Sequence, residues 1–196
     1  MTIGLVSGIF LTTEIESTGP IVDSFELQRL QNEFPGVGTW NAPDGRLNRI
    51  FGRPMETGSS PRETAMKVVR EWSGIWGLAP KNLMLAGPFP GDDRTEQTLM
   101  WDQGTETYKF TAVYFKQNVQ GVPVYNSRLQ VLVRNDSGYP AVSIGTDLRN
   151  VEALAGASRP VGIERSMVDA RATDFLGSDF VYVSEPELVV YAGYDF

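Results

Sequence analysis

Residues Tyr108 to Asn150 read YKFTAVYFKQNVQGVPVYNSRLQVLVRNDSGYPAVSIGTDLRN, and the periodicity of this stretch decides the fold class. Tyr108, Phe110, Ala112 and Tyr114 alternate with Lys109, Thr111 and Val113, the period of two of a pleated strand with one wetter face. Asn118 to Gly121 is a turn signal, and Pro123, without an amide hydrogen, fits only the start or outer edge of a strand. Leu129, Val131 and Val133 then alternate with Gln130, Leu132 and Arg134. Asn135 to Gly138 closes a second hairpin, and Tyr139 to Ile144 returns as a third strand. The stretch predicts an antiparallel meander with helices from elsewhere covering one face, an α+β class.

Upstream, Trp40 to Phe51 predicts a hairpin turned by Asp44-Gly45, with Leu47, Arg49 and Phe51 on one face and Asn48 and Ile50 on the other. Phe25, Leu27 and Leu30 fit a short helix that stops before Pro35, and residues 1–24 an N-terminal arm or edge strand. Ser60-Pro61-Arg62-Glu63 is a strong helix start. Ser60 can accept from the Glu63 amide, Glu63 can reach back to Ser60, and Pro61 needs no donor in the first turn. Ala65, Val68, Val69, Trp72, Ile75 and Trp76 follow as one apolar stripe up to Gly77, so both tryptophans read as core. Thr98 to Trp101 predicts a further strand entering the meander.

Downstream, residues 150–160 are rich in small side chains and mark a domain boundary. Gly162 to Leu176 predicts a second helix, with Ile163, Met167, Ala170 and Asp174 on one stripe and Val168, Ala172 and Phe175 beside it. Phe180 to Val183 and Glu187 to Tyr191 predict two strands about a Ser-Glu-Pro turn.

Composition removes several functions. A formal charge of −7 over 196 residues argues against a non-specific nucleic-acid binder, which carries a basic stripe. With no Cys, disulfides and thiolate metal sites are excluded. With no His, so are the His-Glu-x-x-His zinc motif and the Ser-His-Asp triad. No apolar run approaches the roughly 20 residues of a membrane span, and Met1 to Thr12 lacks the basic start of a signal peptide. Asp92-Asp93-Arg94 lacks the alternating oxygen ligands of a calcium loop and reads as a solvated loop. Asn135-Asp-Ser137 is a formal glycosylation sequon. No nucleophile has a base near it in sequence, so the expectation is no enzyme, with no catalytic, cofactor or metal residue in the chain.

Phe115-Lys-Gln117, Gly121-Val-Pro123-Val124 and Leu129-Gln-Val131, in that order and spacing, resemble the motif of the propeptides of thermolysin-like and fungalysin-like metallopeptidases. The Trp40…Asp44-Gly45…Gly52 hairpin is similar to one upstream of that motif. The resemblance implies cystatin-like modules, antiparallel sheets each packed by a helix, in two tandem subdomains: an FTP-type module over 25–150 and a PepSY-type module over 151–196. It implies a precursor continuing past Phe196, and secretion. The implied function is a non-catalytic inhibitor and folding assistant, whose partner is the metallopeptidase catalytic domain in cis or in trans. A tethered partner that binds the native enzyme stabilises it and fills its cleft at high effective concentration. Phe180, Tyr182 and Tyr191, with the sheet edges, are the expected docking surface. Two other readings stay open: a stand-alone secreted or cell-surface protein-binding module, and an enzyme working with carboxylates alone.

Overall fold

The computed structural model describes residues 21–43, 45–89, 92–151, 164–178, 180–182 and 187–192. It is a mixed α+β fold built on an antiparallel sheet. Among the described residues the strands are β1 (Gly38–Asn41), β2 (Leu47–Phe51), β3 (Leu83–Leu85), β4 (Glu96–Asp102), β5 (Thr107–Val119), β6 (Val122–Pro123), β7 (Arg128–Arg134) and β8 (Ala141–Asp147). The order across the sheet is β1-β2-β8-β7-β5-β3. The expected meander is therefore β5, β7 and β8, with the two-residue β6 folded back on β5. At 13 residues β5 is long enough to take two partners in succession: β4 pairs with its first half and β3 with its second.

One face of this sheet is covered. Helix α2 (Pro61–Trp72) buries Ala65, Val68, Val69 and Trp72 over β5, β7 and β8, whose inward residues include Val113, Phe115, Leu129, Val131, Val133 and Ile144. Each such side chain contributes about 1.5–3 kcal/mol through lost apolar exposure. Trp72 and Trp76 are both core residues, as the stripe predicted. A 3₁₀ turn over Ser73–Trp76 continues α2 and ends at Gly77, whose φ of 62° is the left-handed cap. Helix α1 (Ser24–Glu33), capped by the Asp23 carboxylate, packs on that turn and buries Leu30.

The start of α2 differs from expectation in one partner. Ser60 Oγ accepts from the Glu63 amide at 3.2 Å, but Glu63 reaches back to Ser59, whose amide donates to it at 2.7 Å. The preceding loop is tied to β8 by Met55 N donating to Ala141 O and Ala141 N donating to Glu56 O. The buried Glu56 carboxylate accepts from Trp72 Nε1 at 2.9 Å and pairs with Lys67 at 2.6 Å. That hydrogen bond holds the Lys67 ammonium above its ordinary value.

The first hairpin corrects a facing prediction. Leu47 is buried, but so is Ile50, while Arg49 and Phe51 are exposed. Trp40 pairs with Arg49 and Asn41 with Leu47, leaving Asn48 as an extra residue. A bulge of one residue shifts the phase of the pleat, so Leu47 and Ile50 both turn inward. Gly45 has a φ of 86°, as a tight turn requires; Asp44 lies outside the described residues.

The region after residue 150 departs most. Helix α3 (Arg165–Leu176) forms where expected, but it buries no residue, and Met167 and Phe175 are exposed. Val168, Ala172 and Leu176 form its half-covered stripe instead. Its apolar residues are spread around the axis, so the period selected the wrong side; Ile163 lies outside the described residues. Phe180–Tyr182 and Glu187–Tyr191 are not strands. Among the described residues the second makes one bridge, Val190 parallel to Val124. The boundary over 150–160 falls outside the described residues from Glu152 onward, as do the arm over 1–20 and the Ser-Glu-Pro turn.

Candidate docking groove beneath the β5–β6 turn

Gln120 and Gly121, with φ of 51° and 84°, turn β5 into β6 in the doubly left-handed form that suits a twisted hairpin. Asn118 fastens this turn. Its Oδ1 accepts from the Gly121 amide at 3.2 Å, and its Nδ2 donates to Lys81 O at 3.0 Å. Asn82 Nδ2 returns a bond to Asn118 O at 3.3 Å. The turn is thereby held against the 3₁₀ segment Pro80–Asn82.

Gln117 is fully buried and grips the backbone of Arg149 at both ends. Its Nε2 donates to Arg149 O and its Oε1 accepts from Arg149 N, each at 2.9 Å. An amide side chain carries N–H donors and a carbonyl acceptor in one plane, so it reproduces here the pairing of a missing strand. The Gln117 main chain accepts from Val124 N at 2.8 Å and donates to Ser127 Oγ at 3.0 Å; that hydroxyl donates to Val124 O. Phe115, Val124, Leu129 and Val131 are buried, and Pro123, opposite Asn118, accepts from Val190 N through its carbonyl. The structure brings Phe115, Gln117, Gly121, Pro123, Val124, Leu129 and Val131 together as one connected unit.

Beside this unit lies a cavity of about 710 Å³, with Trp76, Lys81, Asn82, Asn118, Arg149 and Asn150 among its walls. Lys81 and Arg149 are the cations of that lining, and among the described lining residues none is acidic. Arg149 Nη1 pairs with Asp147 at 3.2 Å, and Asp147 also meets Arg46 at 3.6 Å. Lys81, Asn82 and Arg149 were not singled out from the sequence, where they carry no local signal; Trp76 was legible as a core residue of the apolar stripe, and Asn118 as part of a turn.

The residues expected to dock a partner are engaged within the chain. The Phe180 ring meets Tyr182 edge-on at 5.1 Å, Tyr182 donates its hydroxyl to Asp169 at 2.9 Å, and the Arg165 guanidinium lies 4.5 Å over its ring. Arg165 first, then Tyr182, holds the Asp169 carboxyl below its ordinary value. Tyr191 lies 6.2 Å from Tyr125. Phe180 and Tyr182 thus form one cluster with α3, and Tyr191 belongs to another. The Asn135 amide is also committed, accepting from Thr111 Oγ1 and donating to Tyr108 O, both at 2.9 Å. Asp92 is bound by Arg94 at 2.9 Å, which keeps its carboxyl below the usual value. Among the described residues no three acidic side chains gather into a metal-sized cluster, and no helix is long and apolar enough to cross a membrane.

Compared with protein-family models, curated proteins and solved structures, the chain matches none of them.

Proposed function

We propose that this chain is the non-catalytic propeptide region of a thermolysin-like metallopeptidase precursor, or a free-standing relative, acting as inhibitor and folding assistant of the peptidase. In this reading it is secreted, residues 25–150 form a cystatin-like FTP module, and residues 151–196 belong to a PepSY-like module. The observation that carries it is the coherence of the motif: residues that share only order and spacing in the sequence pack into one unit around Gln117. A helix laid across an antiparallel sheet also fits cystatin-like packing.

Of the expected docking surfaces, the aromatic residues near the C-terminus and the sheet edges, this reading favours the edge formed by β4. β4 pairs only with β5, so among the described residues its outer backbone has no strand partner and can accept an added one. Met100, with a φ of 58°, breaks its register between Leu99 and Trp101, so the regular docking length is Glu96 to Leu99.

Inhibition of a thermolysin-type peptidase by the purified chain tests the proposal. Slow, tight inhibition that ends as the chain is cleaved supports it. Absence of inhibition against both a cognate and a generic enzyme sinks it, and leaves the stand-alone protein-binding module as the working reading.

A further inference from the structure

We propose that the outer face of the sheet, on β1, β2, β8 and β7, binds single-stranded nucleic acid, with Trp40 and Phe51 stacking bases and Arg49 and Arg128 holding phosphates. The register fixes which side chains share this face. Ile50, Ile144 and Val131 stand opposite one another, fully buried on the side that α2 covers. Their chain neighbours turn the other way: Trp40, Arg49, Gly145 and Gln130 form one row, with Phe51 and Ser143 in the next. This face is open at its rings and at its floor. Trp40 is 53% and Phe51 42% exposed, and a side chain at Gly145 would meet nothing within 4 Å. The Phe51 ring leans over Gly38, two residues from Trp40 on β1, so both rings stand along one strand.

Charge selects the ligand. The chain is acidic overall at −7, yet the charged residues of these four strands are Arg49, Arg128, Arg134 and Asp147. Asp147 is held by Arg46 and Arg149, and Arg134 pairs with Asp136. Arg49 and Arg128 are exposed and form no ion pair among the described residues. They stand on either side of β8, two strands and two residues apart, about 12 Å between Cα atoms. Open rings and guanidiniums on one face match a polyanion that also carries stacking planes, with bases on the rings and phosphates on the arginines. An acidic protein segment would answer the arginines but not the flat rings, and a neutral glycan the reverse. The site does not depend on the propeptide reading: a stand-alone module would use it equally.

The test is fluorescence anisotropy of a fluorescein-labelled oligothymidylate titrated with the whole chain at low salt, with an abasic strand of the same length and heparin as competitors. The oligothymidylate should bind at least roughly tenfold tighter than the abasic strand, because stacking adds to the phosphate contacts. Trp40→Ala, a substitution at an exposed ring, should lose that preference while its urea midpoint stays at the parent's. Phe51→Leu, read in the same way, should weaken it too. Arg49→Gln combined with Arg128→Gln should flatten the slope of log Kd against log salt by about 1.4, at ~0.7 for each phosphate neutralised. Absence of binding, an abasic strand or heparin that binds as tightly as the oligothymidylate, or an unchanged preference in both ring variants would overturn the proposal. So would a salt slope that the double arginine variant leaves unaltered.

Discussion

Gln117 shows how much one side chain can hold. It lies in a strand whose neighbours Phe115 and Val113 are apolar, and its amide replaces two backbone hydrogen bonds for Arg149. Gln117→Leu keeps most of the volume but removes both bonds to the buried Arg149 backbone. At about 1–3 kcal/mol for each lost bond, the loss should be about 2–6 kcal/mol by urea unfolding. A loss below about 1 kcal/mol would mean that the Arg149 backbone finds water instead. Gln117→Glu adds a sign test. Its carboxylate would face the Arg149 carbonyl in a buried site, which raises its pKa above the unfolded value, so the variant's stability should be best in weak acid and fall as pH rises past about 4.3. Gln117 was legible only through the resemblance of Phe115-Lys-Gln117 to the propeptide motif. Arg149 was not, since no periodicity links a side chain to a backbone 32 residues on.

At the scale of elements, legibility follows how local the controlling interactions are. Helix α2 was readable to its caps because the Ser60 bond, Pro61 and Gly77 all lie within a few residues of its ends. Ser60→Ala should therefore cost about 1 kcal/mol, measured as a shift in urea midpoint with unchanged slope. Glu63 supplies the pH dependence of the same start. The Ser59 hydroxyl, then the Ser59 amide, holds its carboxyl below its ordinary 4.5. A depressed carboxylate contributes stability that is present above the unfolded value and lost as pH falls through the lower folded one. Glu63→Gln should accordingly flatten part of the stability loss below pH 4.5, and an acid limb identical to the parent's would remove Glu63 from the account. The first hairpin and α3 were misread for non-local reasons. The Asn48 bulge depends on pairing with β1, and the covered side of α3 depends on neighbours rather than on its own period. The segment about Val190 has strand-forming residues, yet its chain meets the sheet at a single bridge.

For the whole molecule, the question is whether the chain after residue 150 opens with the sheet or apart from it. The centre of the sheet is anchored on every side: β5 from Phe110 to Phe115 pairs with β7 on one edge and with β4 and β3 on the other, beneath α2. Its amides should exchange with solvent only on global unfolding. Among the described residues the C-terminal segment meets that body through Val190 N donating to Pro123 O, Tyr125 N donating to Val190 O, the Tyr125–Tyr191 ring contact and the buried Ala192. It pairs with no strand of the sheet along its length, so it should open locally at a fraction of the global free energy. Hydrogen exchange should then place the Val190 and Tyr125 amides well below those of Val113 and Val131 in protection. Val190→Pro, which removes one of the two bonds, should cost the sheet about 1 kcal/mol or less while abolishing protection at Tyr125. That pattern fits two tandem subdomains, because the motif turn would keep its fold when the segment leaves. Equal protection at Val190 and Val113 would instead make residues 187–192 part of one cooperative unit with the sheet, and the two-module division would fail.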